Sequence, residues 1–241
     1  MAGLLSIELD GAVALVTLRR PDKRNALSVD LRIELADAFR RLAEEGGVRC
    51  AVLTGAGSAF CSGMDTTQFG GDLANRERLV ESSIAAFSTV ANFPKPLIAA
   101  VNGPAIAGGF VLALHADVRI ASETARFGFT ELRRGIPPSY AAALGALPEP
   151  LARELCLTGR LMEAEEARAH ALVTEVVPEG EAGARAMELA AAVAQRPLET
   201  LLEIKRRFLL AAAERRGALF EDEERVFRTA LLREVPGDDV A

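Results

Sequence analysis

The sequence predicts a mixed α/β fold, and three observations carry that prediction. The chain opens on two alternating strands, then twice runs an apolar strand through a glycine-rich loop toward a helix, and closes on a long run of helix formers. With 241 residues, 50% of them hydrophobic and 26% charged, it has material for a large core and a smaller appendage. Residues 1–178 read as that core. Residues 179–241 read as a helical region for packing and self-association.

In LLSIELDGAVALVTLRR, apolar and polar residues alternate on both sides of Asp10-Gly11, a dipeptide suited to a tight hairpin turn. Ser28 is placed to cap the next segment, where Leu31, Leu35, Phe39 and Leu42 recur at helical spacing until Gly46-Gly47. The run CAVLTG reads as a buried strand, and the polar stretch from Asp65 to Glu77 as a loop. A helix bearing Leu79, Ile84, Phe87 and Val90 and the strand LIAAV complete the second unit. Beyond HADVRIAS come a short strand near 125–129, helices near 139–147, 150–157 and 163–170, and a last strand, TEVV. After Pro178 nearly everything is Ala, Leu, Glu and Arg with helical periodicity, either a cover over the core or a surface for a second copy.

Charge and cysteine usage exclude several function classes. The net charge is −6, with 34 acidic and 28 basic side chains intermixed, so no broad basic face exists to follow a nucleic-acid backbone. No apolar run reaches the length of a membrane span, because Asp117, Arg119 and similar charges interrupt each candidate. The three cysteines, Cys50, Cys61 and Cys156, lack metal-ligand spacing and fit a reduced, cytoplasmic setting. No metal site, dinucleotide fingerprint, phosphate loop or nucleophile elbow is present in the sequence. The charge balance favours a small-molecule partner over a nucleic acid.

The chemistry is concentrated in two glycine-rich stretches. In VNGPAIAGGF, Gly103 permits a turn after LIAAV, and Gly108 and Gly109 clear the start of the following helix. A bare helix N-terminus carries unpaired N–H groups and partial positive charge, which suits an oxygen that becomes negative. In LTGAGSAFCSGMD, a second strand ends in small residues and offers the N–H of Met64. Two such loops can hold one oxygen between them as an oxyanion hole. Close packing of glycine turns is the alternative use of the same residues.

The ordered motifs RPDKRNALS, AFCSGMD, KPLIAAVNGPAIAGGFVLALHADVRIAS, ARFGFTELRRGIPP, LTGRLMEAEEARAHALVTEVVP and IKRRF resemble the crotonase superfamily, the enoyl-CoA hydratase/isomerase group, from about residue 5 to 235. The resemblance implies a spiral of ββα units with C-terminal helices that build a homotrimer, often paired into a homohexamer. It also implies an acyl-CoA thioester substrate, of which coenzyme A is a part, and no separate cofactor. By position in the motifs, Met64 and Gly108 are the oxyanion donors, each contributing about 3 kcal/mol to the transition state.

Members resembling hydratases carry one acid three residues after the oxyanion glycine and a second in a later motif. Here the first position is Val111, and only the second, Glu131, is acidic. A lone base beside an enolate hole can take a proton from C2 of a 3-enoyl thioester and return it to C4, so the pattern resembles Δ3,Δ2-enoyl-CoA isomerases. Hydration, decarboxylation or C–C bond formation on malonyl-type thioesters, and acyl-CoA binding without turnover are the alternatives. The candidate substrate-contacting residues are Arg24, Cys61, Asp65, Val111, Pro138, Tyr140 and Lys205. Arg24 and Lys205 match basic positions near coenzyme A, Cys61 reads as a small buried residue rather than a nucleophile, and Tyr140 is the only tyrosine. His115 and His170 read as packed or surface histidines.

Overall fold

The structure, a computed structural model, describes residues 3–232. Residues 1–2 and 233–241, the ends of the two regions drawn from the sequence, lie outside the described residues. Its strands are β1 (Leu5–Asp10), β2 (Val13–Leu18), β3 (Cys50–Gly55), β4 (Leu97–Val101), β5 (Ala105–Ile106), β6 (Val118–Ser122), β7 (Arg126–Gly128), β8 (Met162–Glu163) and β9 (Glu175–Val177). Its helices are α1 (Val29–Glu44), α2 (Leu73–Ala91), α3 (Gly108–His115), α4 (Tyr140–Ala146), α5 (Glu149–Thr158), α6 (Ala164–Ala169), α7 (Ala182–Ala194) and α8 (Leu198–Leu232).

The hairpin forms where Asp10-Gly11 directs it, with Asp10 opposite Val13, Leu5 opposite Leu18 and Gly11 at φ +55°. From β2 onward the strands add in parallel, giving the order β1-β2-β3-β4-β6-β9. A parallel sheet covered on both faces needs apolar residues at every position, which is why CAVLTG and LIAAV do not alternate. Ala51, Leu53, Leu97, Ala99 and Val101 face the main core, shared with α1 and α3. Cys50, Val52, Ile98 and Ala100 face the other way, onto Ala182, Ala186, Ala190 and Ala194 of α7. The four-residue spacing of these alanines puts them on one helix face, where small side chains let α7 lie close to the sheet. A smaller sheet, β5-β7-β8, branches from the glycine-rich stretch.

The sequence reading departs from the structure in three places. The polar stretch 65–77 is not all loop: α2 begins at Leu73 because Asp72 accepts a hydrogen bond from the Asn75 N–H at 2.9 Å. Strands β5 and β8 are two residues each, too short to show periodicity. The final helices also divide: α7 covers the sheet, whereas α8 packs on α2 and α4 and borders a cleft at the start of α3.

Candidate active site

That cleft, about 1470 Å³, opens where β3 and β4 deliver their glycine-rich loops. The loops are zipped to each other at the backbone. Cys61 N–H donates to Pro104 O at 3.2 Å, and Ile106 N–H donates to Cys61 O at 2.9 Å. On the other side, Leu27 N–H donates to Gly63 O at 2.8 Å and Asp65 N–H to Leu27 O at 3.2 Å. These bonds use the neighbours of Met64 and leave its own N–H without an acceptor among the described residues. Gly108, at the first position of α3, is likewise without one.

Two local features hold this pair of donors in place. Ala107 adopts φ +52° and ψ −124°, a conformation that costs an alanine on the order of 1–3 kcal/mol and clusters at functional sites. Gly109 packs against the Cys61 carbonyl so closely that a β-carbon there would collide with it. The strained residue and the bare one together present the first turn of α3 to the cleft. The motif glycines therefore serve both readings: Gly109 is a packing glycine, and Gly108 borders the cleft.

Glu131 sits in the 3₁₀ turn Thr130–Arg134, which Gly135 closes at φ +69°. Its side chain borders the same cleft as Met64, Gly108 and Val111. Its Oε2 is buried without a hydrogen-bond partner. Burial pushes the Glu131 carboxyl up to about 7, which poises it as a proton carrier near neutrality. Val111 lies one turn of α3 below Gly108, 8% exposed and bordering the cleft, and cannot move a proton.

The other sequence candidates separate. Arg24 and Pro138 border the cleft, Arg24 at φ +49° beside Ser62, whose N–H donates to Arg24 O at 3.0 Å. Asp65 also borders it, with its carboxylate paired to Arg20 at 2.8 Å and bonded to the Thr67 hydroxyl. Those bonds hold its carboxyl below the ordinary range despite its burial. Cys61 does not border the cleft; its buried thiol donates to Asn25 O at 3.2 Å, and burial pushes it up to about 12, so it remains a thiol. Tyr140 turns away, and its hydroxyl accepts from Arg153 Nε at 3.2 Å. Lys205 borders the cleft but is only 3% exposed, and its ammonium donates to both Asp117 oxygens at 2.7 and 2.8 Å. That ion pair ties α8 to the turn before β6 and occupies the charge assigned to coenzyme A.

Sequence reasoning missed what α8 brings. Glu223 Oε1 accepts from Ala141 N–H at 2.7 Å, and its Oε2 accepts from Ser139 Oγ at 2.8 Å, so a carboxylate from α8 caps the start of α4. It borders the cleft, and burial raises its carboxyl above the usual range. Cys156 lies within reach of both charges: after burial, Glu131 and then Glu223 push its thiol up to about 12. His115, Arg216 and Phe220 also border the cleft. No motif marks Arg216 or Phe220, whose only sequence signal is the amphipathic stripe of a long helix, whereas His115 lies inside a motif but reads there as a packed or surface histidine.

A family profile described as enoyl-CoA hydratase/isomerase matches residues 8–234. A protein of Thermus thermophilus is 41% identical over 209 residues, 83% of this chain and 81% of its own length. The enoyl-CoA hydratase EchA19 of Mycobacterium tuberculosis is 40% identical over 78% of this chain and 73% of its own. Among solved structures, an enoyl-CoA hydratase/isomerase from Mycobacterium paratuberculosis superposes with a TM-score of 0.90 at 26% identity, covering 97% of this chain and 96% of that one.

Proposed function

The chain belongs to the enoyl-CoA hydratase/isomerase family, and from that premise we propose that it moves a proton on an acyl-CoA thioester through an enolate, with Glu131 as the base. The thioester oxygen accepts the N–H groups of Met64 and Gly108, and these donors strengthen as negative charge develops on it. Glu131 takes the C2 proton of a 3-enoyl thioester and returns it at C4, leaving the conjugated 2-enoyl product. One observation carries this reading: Glu131, with a buried, unpartnered carboxylate oxygen, borders the same cleft as the donor pair, and the other acid position on that cleft is Val111. No metal or separate cofactor enters the proposed reaction.

Water addition to a 2-enoyl thioester is the second reading. Relatives bearing the name enoyl-CoA hydratase favour it, and Glu223 supports it as a second, half-buried carboxylate on the same cleft. Hydration needs one group to activate water and one to exchange the α proton, a division that a carboxylate pair satisfies.

Product identity separates the two. The protein is incubated with 3-enoyl-CoA and 2-enoyl-CoA thioesters, and products are resolved by chromatography and mass. Conversion of 3-enoyl to 2-enoyl without a gain of water supports isomerisation. Gain of water that fails in both Glu131→Gln and Glu223→Gln supports hydration by the pair. Absence of product from either series overturns both.

A further inference from the structure

Beyond the proton-transfer machinery, the cleft has a cationic end that the proposed reaction does not use. Helix α3 starts at Gly108 and ends at His115, so the imidazole lies about 10 Å along the helix from the oxyanion donor. Val111 and Leu114 lie between them and border the cleft with apolar surface. Across from His115 stands Phe220 of α8, with ring centroids 6.2 Å apart, and the Arg216 guanidinium lies 5.6 Å from the Phe220 centroid.

Arg216 is held at this place by construction. Its Nη1 donates to Ala141 O at 3.1 Å, and the guanidinium lies where a β-carbon on Gly145 would be, so the glycine inside α4 makes room for it. Among the described residues no Asp or Glu pairs with Arg216, and its remaining N–H groups have no acceptor. The His115 imidazole likewise makes no hydrogen bond among the described residues. Burial first, then the charges of Arg216 and Lys205, push His115 down to about 3, so it stands neutral and keeps one N–H to donate. A half-buried cation and a neutral donor, set beyond the apolar side chains of Val111 and Leu114 on the same cleft, lack an anionic partner. Of the two cations assigned to coenzyme A, Arg24 lies beside Ser62 in the loop that delivers Met64, and Lys205 is already paired with both oxygens of Asp117, so neither takes the place of Arg216 here.

We propose that Arg216 and His115 form an anion-recognition subsite at the far end of the acyl channel, and that the preferred substrates are acyl-CoA thioesters whose acyl chain ends in a carboxylate. The proposal rests on the acyl-CoA reading above but not on which reaction follows. A chain of intermediate length reaches from the thioester at Gly108 to the guanidinium, where its carboxylate takes two parallel N–H donors.

The test uses saturated thioesters, so that binding is read without turnover. Hexanoyl-, octanoyl- and decanoyl-CoA are compared by calorimetry with adipoyl-, suberoyl- and sebacoyl-CoA. At one chain length the carboxylate-ended ligand is expected to bind roughly tenfold to a hundredfold more tightly than its uncharged counterpart. In Arg216→Met that ratio collapses toward one, and in His115→Phe it falls in part. Equal or weaker binding of the carboxylate series at every length in the unmodified protein overturns the subsite, whatever the variants do. Loss of both series to the same extent in Arg216→Met also overturns it, because that is the signature of a residue that only clamps α8 to α4. If neither series binds, the acyl-CoA reading falls with it, an outcome distinct from binding without charge preference.

Discussion

Glu131 is the residue on which activity and stability pull in opposite directions. As a base it must be ionised, so kcat/KM is expected to rise with pH through an inflection near 7, the value to which burial brings the carboxyl. Glu131→Gln is expected to lower turnover at least about a hundredfold while thioester binding survives, and steady-state kinetics with calorimetry check both parts. The stability effect has the opposite sign. A carboxyl raised from 4.5 to about 7 on folding favours the native state while protonated, and that contribution is lost as pH rises from about 4.5 through about 7. Glutamine stays neutral, so the variant's melting temperature should exceed that of the unmodified protein at pH 8 and match it near pH 4. Val111 is the complementary test: Val111→Glu should add or raise hydration of 2-enoyl thioesters, and no change in hydrated product would show that the position does not face the reacting carbons. Both residues were legible in the motifs, because spacing from Gly108 and from FGFTELRRG places them. Their burial was not legible. The same limit applies to Tyr140, whose hydroxyl turns toward Arg153, whereas Cys61 is the small buried residue the sequence suggested, with its thiol donating to Asn25 O instead of reaching the cleft.

At the scale of elements, the site depends on how closely the start of α3 can approach the loop after β3. Gly109→Ala would force a β-carbon into the Cys61 carbonyl, and separating the two backbones should cost about 3 kcal/mol, measurable as a lower urea midpoint. The same change moves the Gly108 N–H, so activity should fall further than stability. Lys205 reports on a different element. Removing its charge leaves Asp117 without the ammonium that binds both its oxygens, and Lys205→Met should destabilise the fold by about 3 kcal/mol as α8 loosens from the turn before β6. A variant of unchanged stability but weaker coenzyme A binding would restore the contact role assigned from sequence. Long elements with strong periodicity, such as α1 with its Ser28 cap, were legible to within a residue or two. The two-residue strands β5 and β8 were not, because they exist only through partners distant in sequence. The direction of α8 was also hidden, since an amphipathic stripe states that a helix packs but not on what.

The described residues form a mostly parallel six-stranded sheet with helices on both faces, a small three-stranded sheet beside it, and a long last helix returning to the cleft. Its class was legible because hydrophobic runs without alternation leave few arrangements other than a sheet covered twice. Assembly belongs to this scale. Helix α8 leaves Ile204 at 40% and Leu210 at 49% exposed, large apolar residues that a second copy would cover. We expect a homotrimer or homohexamer by light scattering, and a monomer at micromolar concentration would count against the resemblance at this point. The two donors at the heart of the cleft belong to the main chain, whereas the groups that decide what becomes of the enolate are side chains. A point mutation can rewrite positions 111, 131 or 223, but no exchange of side chains alone deletes the N–H of residue 64 or 108, save by proline. The fold is therefore open to divergence in one direction. Product and substrate can drift through single substitutions while the capacity to hold a charged oxygen is inherited intact, so libraries confined to the cleft walls should yield new outcomes far more often than inert proteins.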